Sequence, residues 1–272
     1  MNRLLLVLLS AITILSACSN DLSNRGSMGD VIDIHGNVQH LDRMEQFIQH
    51  ANQGEPASIR VVRYTIEGDP IYYDLSLKNG QIDFKYDTTE DKFGSGSITK
   101  STCDNLTRKE SATELAFVLT GCSGTNQEQE ILYLAFDVRK QDRFGFIMNY
   151  GVNEKNEVDT EQRKLVKDLQ NGETATLTDF ELTTDELQTI YRKMVLMNYL
   201  GEKQLQATCN QKPHESYYLK VFINSGIREY RWSDCDQSED GQAMNEILNE
   251  IKGIIMNRED YKSLPDVQGV YM

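Results

Sequence analysis

The chain has 272 residues and a formal charge of −14, from 42 acids against 28 lysines and arginines. The cations are scattered among the acids and form no basic stripe, so phosphate backbones are repelled and nucleic acid is excluded as a partner. Beyond residue 18 no apolar run approaches the roughly 18 residues a membrane helix needs, and the remaining length suits one large domain or two of ordinary size.

The chain opens with MNRLLLVLLSAITILSACSN. Arg3 supplies a basic start, and Leu4 to Leu15 is apolar apart from Ser10 and Thr13. As a helix this run is about 18 Å long, against a hydrocarbon core of about 30 Å. It is too short to span and fits the apolar region of an export signal. Leu15-Ser16-Ala17-Cys18 then resembles the lipobox of bacterial lipoproteins. The resemblance implies cleavage between Ala17 and Cys18 and a diacylglyceryl group on the Cys18 thiol. Two acyl chains hold a protein at a membrane stably where one does so marginally. Residues 1–17 carry only Arg3, so the mature chain sits at about −15. Such acidity keeps an extracytoplasmic protein soluble.

SNDLSNRGSMG follows as a polar tether. In VIDIHGNVQHLDRMEQFIQHANQGEP, which reads as an amphipathic helix, Leu41, Met44, Ile48 and Ala51 recur at helical spacing, Phe47 widens the stripe, and Gly54 and Pro56 stop it. SIRVVRYTI, IYYDLSL and QIDFKYD read as three strands. Asn79-Gly80 is a two-residue hairpin signal, setting Ile71, Tyr73, Leu75 and Leu77 on the same face as Ile82, Phe84 and Tyr86. The spacing predicts a meander over residues 58–87 with the helix on one face. Strands near 97–102, 114–120 and 131–138 are expected to extend this sheet, with loops at TTEDKFGSG and SGTNQEQE.

Arg139 to Arg143 is the expected boundary between domains. FGFIMNYGV reads as a buried strand, NEKNEVDT as a polar turn region, and RKLVKDL as a strand or a short helix. Thr183 and Glu186 form a capping box ahead of a helix whose stripe is Leu187, Ile190, Tyr191, Met194 and Met197. SYYLKVFI and IREYRW flank a second hairpin turn at Asn224-Ser225-Gly226. Asp236 with Glu239 resembles a second capping box, before a helix carrying Ala243, Ile247, Ile251, Ile254 and Ile255 to about Asn257. Pro265 and Gly269 leave the tail extended. The expected class is α+β: two small domains, each of antiparallel strands with helices packed on one face. The boundaries are 1–17 for the signal, 18–29 for the lipidated start and tether, and 30–139 and 143–272 for the domains.

HGNVQHLDRMEQFI, RYTIEGDPIYYDLSLKNGQIDFKYDTTEDKFG, Cys103 and Cys122 resemble a domain of unknown function in lipoproteins of Gram-positive, Bacillus-type bacteria. The resemblance covers about residues 29–139, with YTIEGDPI its most specific part. NYGVNEKNEVDT, KDL, ELTTDELQTIYRKM and YKSLPDVQGVY resemble another module of similar lipoproteins. Neither resemblance implies an activity or brings functional residues beyond Cys18.

With Cys18 lipidated, Cys103, Cys122, Cys209 and Cys235 remain. Four cysteines allow three pairings. Locality favours Cys103–Cys122 and Cys209–Cys235, which can persist outside the cytoplasm; free buried thiols are the alternative. No C-x-x-C occurs, and His35, His40 and His50 do not share one helical face, so no metal is indicated. His214 lies alone in a Pro-containing loop. Asp87 to Asp91 and Asp234 to Gly241 are acid-rich, but both fail the EF-hand spacing. No G-x-S-x-G and no phosphate-binding glycine loop is present. Tyr72, Tyr73, Tyr217, Tyr218, Tyr230 and Trp232 read as sheet packing, with exposed members able to meet a protein or glycan. The expectation is a cell-membrane lipoprotein on the extracytoplasmic face, with no catalytic residues and no cofactor. It is tethered through Cys18 and binds an envelope protein or small ligand. A surface hydrolase using dispersed carboxylates is the alternative.

Overall fold

The computed structural model describes residues 29–124 and 126–271. The expected signal, Ala17 and Cys18 lie outside the described residues. Strands β1 (Val31–Ile34) and β2 (Asn37–Gln39) form a small hairpin ahead of helix α1 (Asp42–Gln53). Gly54 ends α1 at φ 70°, where its N–H reaches back to the Ala51 carbonyl. β3 (Ala57–Tyr64), β4 (Pro70–Lys78), β5 (Gln81–Asp87) and β6 (Ile98–Cys103) complete a six-stranded sheet of order β2-β1-β3-β4-β5-β6. Asn79 and Gly80 both take positive φ, and Leu77, Leu75 and Tyr73 stand opposite Ile82, Phe84 and Tyr86. The register expected from the hairpin is the one observed.

Three expectations for this half are corrected. The first is the β1–β2 hairpin, which the helical reading of the following stripe concealed. β1 pairs parallel with β3, Val31 opposite Val61, so the sheet is not purely antiparallel. Secondly, β7 (Asn105–Glu110), β8 (Glu114–Thr120) and β9 (Glu128–Ala135) do not extend the first sheet. They make their own, in the order β7-β8-β9. The reason is coverage: six strands at about 4.8 Å spacing are about 24 Å wide, and one helix about 10 Å across cannot bury that face. Leu106, Leu115, Phe117, Leu119, Leu132 and Leu134 close the core against Val61, Leu75, Leu77, Ile82, Phe84 and the α1 residues Met44 and Phe47. Thirdly, β9 begins inside the polar run expected to be loop, because its early residues face solvent.

Beyond a 3-10 turn at Val138–Lys140, the second half is a wholly antiparallel sheet. Its strands are β10 (Phe144–Gly151), β11 (Asn156–Asp159), β12 (Lys164–Asp168), β13 (Thr174–Thr178), β14 (Ser216–Ile223) and β15 (Gly226–Ser233), in the order β13-β12-β11-β10-β14-β15. The intervening helix α2 (Thr184–Leu196) and the following α3 (Glu239–Met256) supply Ile190, Met194, Met244, Ile247, Ile251 and Ile255 to the core. Trp232 is 1% exposed there.

Thr183 and Glu186 form the expected capping box on α2. RKLVKDL resolves as strand, and the polar stretch before it contains β11. Both are interior strands, β11 between β10 and β12 and β12 between β11 and β13, with Val158 and Leu165 buried opposite each other in the core. The second capping box is not formed. Ser238 is the N-cap of α3, accepting from Gly241 N at 3.0 Å. Asp236 lies two residues earlier, 2% exposed. It accepts from Ser238 N at 3.0 Å, Ser238 Oγ at 2.6 Å and Gln206 N at 2.8 Å. Burial alone would push its carboxyl up; these bonds outweigh burial and hold it below the usual carboxylate range. The tail is not wholly extended, since Glu259–Lys262 forms a short helix, α4.

No pairing joins a strand of residues 31–135 to one of residues 144–233. The packing is less divided. Tyr191 of α2 belongs to the first core, while Leu187 and Val195 touch both. The Gln188 amide sits between the halves: Oε1 accepts from Val138 N at 2.9 Å, and Nε2 donates to Phe136 O at 2.7 Å and Ala112 O at 2.9 Å. Arg192 on the same helix bonds Glu110 of β7, which also takes Arg108.

Candidate functional site

The outer face of the first sheet carries an open groove of about 880 Å³. The strand register builds it. Ser58, Ser76, Asp83 and Thr102 stand opposite one another in one row across β3, β4, β5 and β6. Arg60, Asp74, Lys85 and Lys100 form the next row. Four strands at about 4.8 Å spacing make each row about 14 Å long. The first row is short and polar, and the second is long and charged, so the first becomes a trough and the second its bank. Alternation turns Ile59, Leu75 and Phe84 the other way, into the core.

Within the bank, Arg60 holds Asp74 through two parallel bonds, Nε to Oδ1 at 2.5 Å and Nη2 to Oδ2 at 2.9 Å. This bond to Asp74 raises the guanidinium's already high pKa and keeps the group charged and in place. Arg60 also lies 5.0 Å from the Tyr72 ring centre. Burial and a hydrogen bond to Glu90 push the Tyr72 phenol up to about 12, so it remains a neutral donor. Lys85 reaches Asp87 at 2.8 Å and Asp74 at 3.7 Å. Bonds from Lys85 and Thr89 hold the Asp87 carboxyl well below the usual range.

Two groups in the groove stand outside this network. Among the described residues Lys100 has no ion pair, though it faces Lys85 directly across the β5–β6 ladder. Like charges in that position repel, although Asp87 and Asp74 offset the charge of Lys85. Asp83, in the hydroxyl row, likewise has no partner among the described residues. The site therefore presents one unpaired cation and one unpaired anion above a floor of hydroxyls.

The cysteines join as Cys103–Cys122 and Cys209–Cys235, the pairings favoured by locality. The first pair borders the groove, since β6 ends at Cys103 and Ser123 Oγ accepts from Thr102 N at 3.0 Å. The histidines do not converge. His35 meets the Thr65 carbonyl, His50 meets Glu55, and His214 meets the Gln211 carbonyl. Among the described residues Cys209, Asp234 and Cys235 bring three ligand-type atoms within 4.8 Å, but both sulfurs are spent in the disulfide. In the acidic loop after β5, Asp87 accepts from Thr89, and Asp91 from Phe93 N and Gly94 N. These carboxylates organise a turn. Tyr217, Tyr230 and Trp232 are buried sheet packing, and Tyr73 packs on Phe84 and Tyr86. None of the groove's charged residues stood out in the sequence; only the Asn79-Gly80 turn, which sets Asp83 opposite Ser76, pointed toward them.

Among the described residues no helix is long and apolar enough to cross a membrane. A DUF4362 domain, a domain of unknown function, is found over residues 28–117. That span takes in all of the first sheet and both rows of the groove. No curated protein and no solved structure matches the chain.

Proposed function

We propose that the protein is a non-enzymatic binding lipoprotein of the cell envelope. It is cleaved after Ala17, anchored through lipid on Cys18 and folded on the extracytoplasmic face. Residues 18–29 tether two modules, 30–139 and 143–272, and the first takes a polar ligand in its sheet groove. The anchor rests on the apolar run and the Leu15-Ser16-Ala17-Cys18 sequence. The expected result is radiolabelled palmitate in the wild type and none in Cys18→Ala. Equal labelling of both removes the anchor.

The observation that carries the binding reading is Lys100, unpaired and opposed to Lys85 on the bank of a hydroxyl-floored groove. An anionic group of an envelope protein or small ligand fits there. A photoreactive residue at Ser76 is expected to capture that ligand in intact cells. Capture falls at least tenfold with Lys100→Glu, because replacing attraction by repulsion is worth more than the 1.4 kcal/mol that a factor of ten requires. The same photoreactive residue at Lys109, on the other sheet, captures nothing comparable. Equal capture from both positions, or no effect of Lys100→Glu, defeats the reading. Turnover of a peptide or glycan by the purified chain, abolished by one substitution, makes the surface hydrolase the better description.

A further inference from the structure

A second pocket lies in the other half, far in sequence from the groove. It has a volume of about 190 Å³ and is enclosed by the ends of β10 and β12, helix α3 and the C-terminal tail. At about 30 Å³ per liquid water it has room for about six waters. The tail forms its outer wall. Gln268 N and Gly269 N both donate to the Leu169 carbonyl, at 2.9 and 3.1 Å. Gly269 passes so close to the Gln170 backbone that a Cβ would collide with it. Tyr271 then donates to Asp168 Oδ2 at 2.6 Å, and the Lys155 ammonium sits 5.0 Å from the Tyr271 ring centre.

Inside, the polar groups are incompletely used. Tyr150 is 5% exposed and lines the pocket, yet its hydroxyl has no hydrogen-bond partner among the described residues. Burial, with Tyr261 and Glu215 nearby, pushes this phenol up, so it is a donor at any physiological pH. The Lys252 ammonium lies 5.2 Å from the Tyr150 ring centre and has no carboxylate partner among the described residues. Glu215 spends one oxygen on the Tyr217 hydroxyl at 3.0 Å. Asp168 is committed to Tyr271 and Gln170 N. The pocket thus offers a cation beside a hydroxyl donor, and a carboxylate oxygen.

We infer that this pocket binds a small zwitterion of free amino-acid size. Its carboxylate engages Lys252 and the Tyr150 hydroxyl, and its ammonium engages Glu215. A simple anion would leave Glu215 unmatched, and a simple cation would leave Lys252 unmatched. The ammonium's partner is Glu215 and not the rings, since Lys252 and Lys167 already lie over Tyr150 and Tyr261, at 5.2 and 4.8 Å from the ring centres. The site shares no residue with the groove and stands independently of it.

The test is calorimetric titration of the purified full chain in detergent micelles. Glycine, L-leucine, L-glutamate and L-lysine are each titrated, with acetate and methylammonium as the separated charges. At least one amino acid is expected to bind, and both half-charged probes at least tenfold more weakly. Tyr150→Phe keeps the ring and removes one charge-assisted bond, so affinity falls roughly tenfold. Lys252→Met lowers it further, and near-ultraviolet circular dichroism of both variants matches the wild type. The inference is overturned if none of the four amino acids binds. It is also overturned if acetate or methylammonium binds as well as they do, or if binding survives both substitutions. Binding lost with Lys100→Glu but kept in Tyr150→Phe assigns the ligand to the groove and overturns it too.

Discussion

Gln188→Leu lowers the unfolding free energy by about 4 kcal/mol, as an expected result of orphaning buried backbone groups. Leucine keeps the bulk of the side chain and the helical propensity of α2. It removes all three bonds that the amide makes to residues of the first half and the connecting turn. The Ala112 carbonyl lies at an exposed residue, where water replaces the amide. Phe136 is 0% exposed and Val138 8% exposed, so their carbonyl and N–H have no such recourse. At about 1–3 kcal/mol for each unpaired buried group, two groups give about 2–6 kcal/mol. That is a large part of the 5–15 kcal/mol typical of a domain. Urea unfolding followed by Trp232 fluorescence and far-ultraviolet circular dichroism measures it. Thr189→Ala, one residue along on the exposed face of α2, is the control and costs below about 0.5 kcal/mol. A Gln188→Leu loss under about 1 kcal/mol would show that the amide does not hold the halves together.

The two disulfides differ in what their removal costs. By loop closure alone they are nearly equal. Separations of 19 and 26 residues give about 3.2 and 3.5 kcal/mol, with the second slightly ahead. Burial reverses that order. Cys103 is 0% and Cys122 6% exposed, inside the core between the two sheets of the first half. Cys209 and Cys235 are only half-buried. Serine at both positions of the first pair adds two hydroxyls to an apolar interior, at about 1–3 kcal/mol each when unpaired. The double serine variant at 103 and 122 therefore loses about 5 kcal/mol or more, and the one at 209 and 235 about 3 kcal/mol. Denaturant titrations under oxidising conditions compare them directly. A larger loss at 209 and 235 would mean that loop entropy, and not the buried environment, sets the order.

Local physics made much of the fold legible. Asn79-Gly80 requires positive φ at both positions, and this alone aligned Leu75 with Phe84 and Leu77 with Ile82. Thr183 and Glu186 satisfy each other's backbone donors within four residues, so the start of α2 needed no distant partner. Gly54 closed α1 for an equally local reason. Cysteine spacing favoured the two bridges that form.

What depended on residues distant in the chain was not legible. Ser238 caps α3 because Asp236 is drawn away to Gln206 N, thirty residues earlier. β7–β9 fold back as a second sheet because an apolar face needed a cover, and strand patterns do not specify which partner they meet. Both candidate sites have the same origin. Lys100 matters because β6 places it against Lys85, and Tyr150 because the tail closes over Asp168. Composition, turns and caps are written in neighbouring residues. Sites made from opposed and unpaired charges exist only once the chain has decided what stands opposite what.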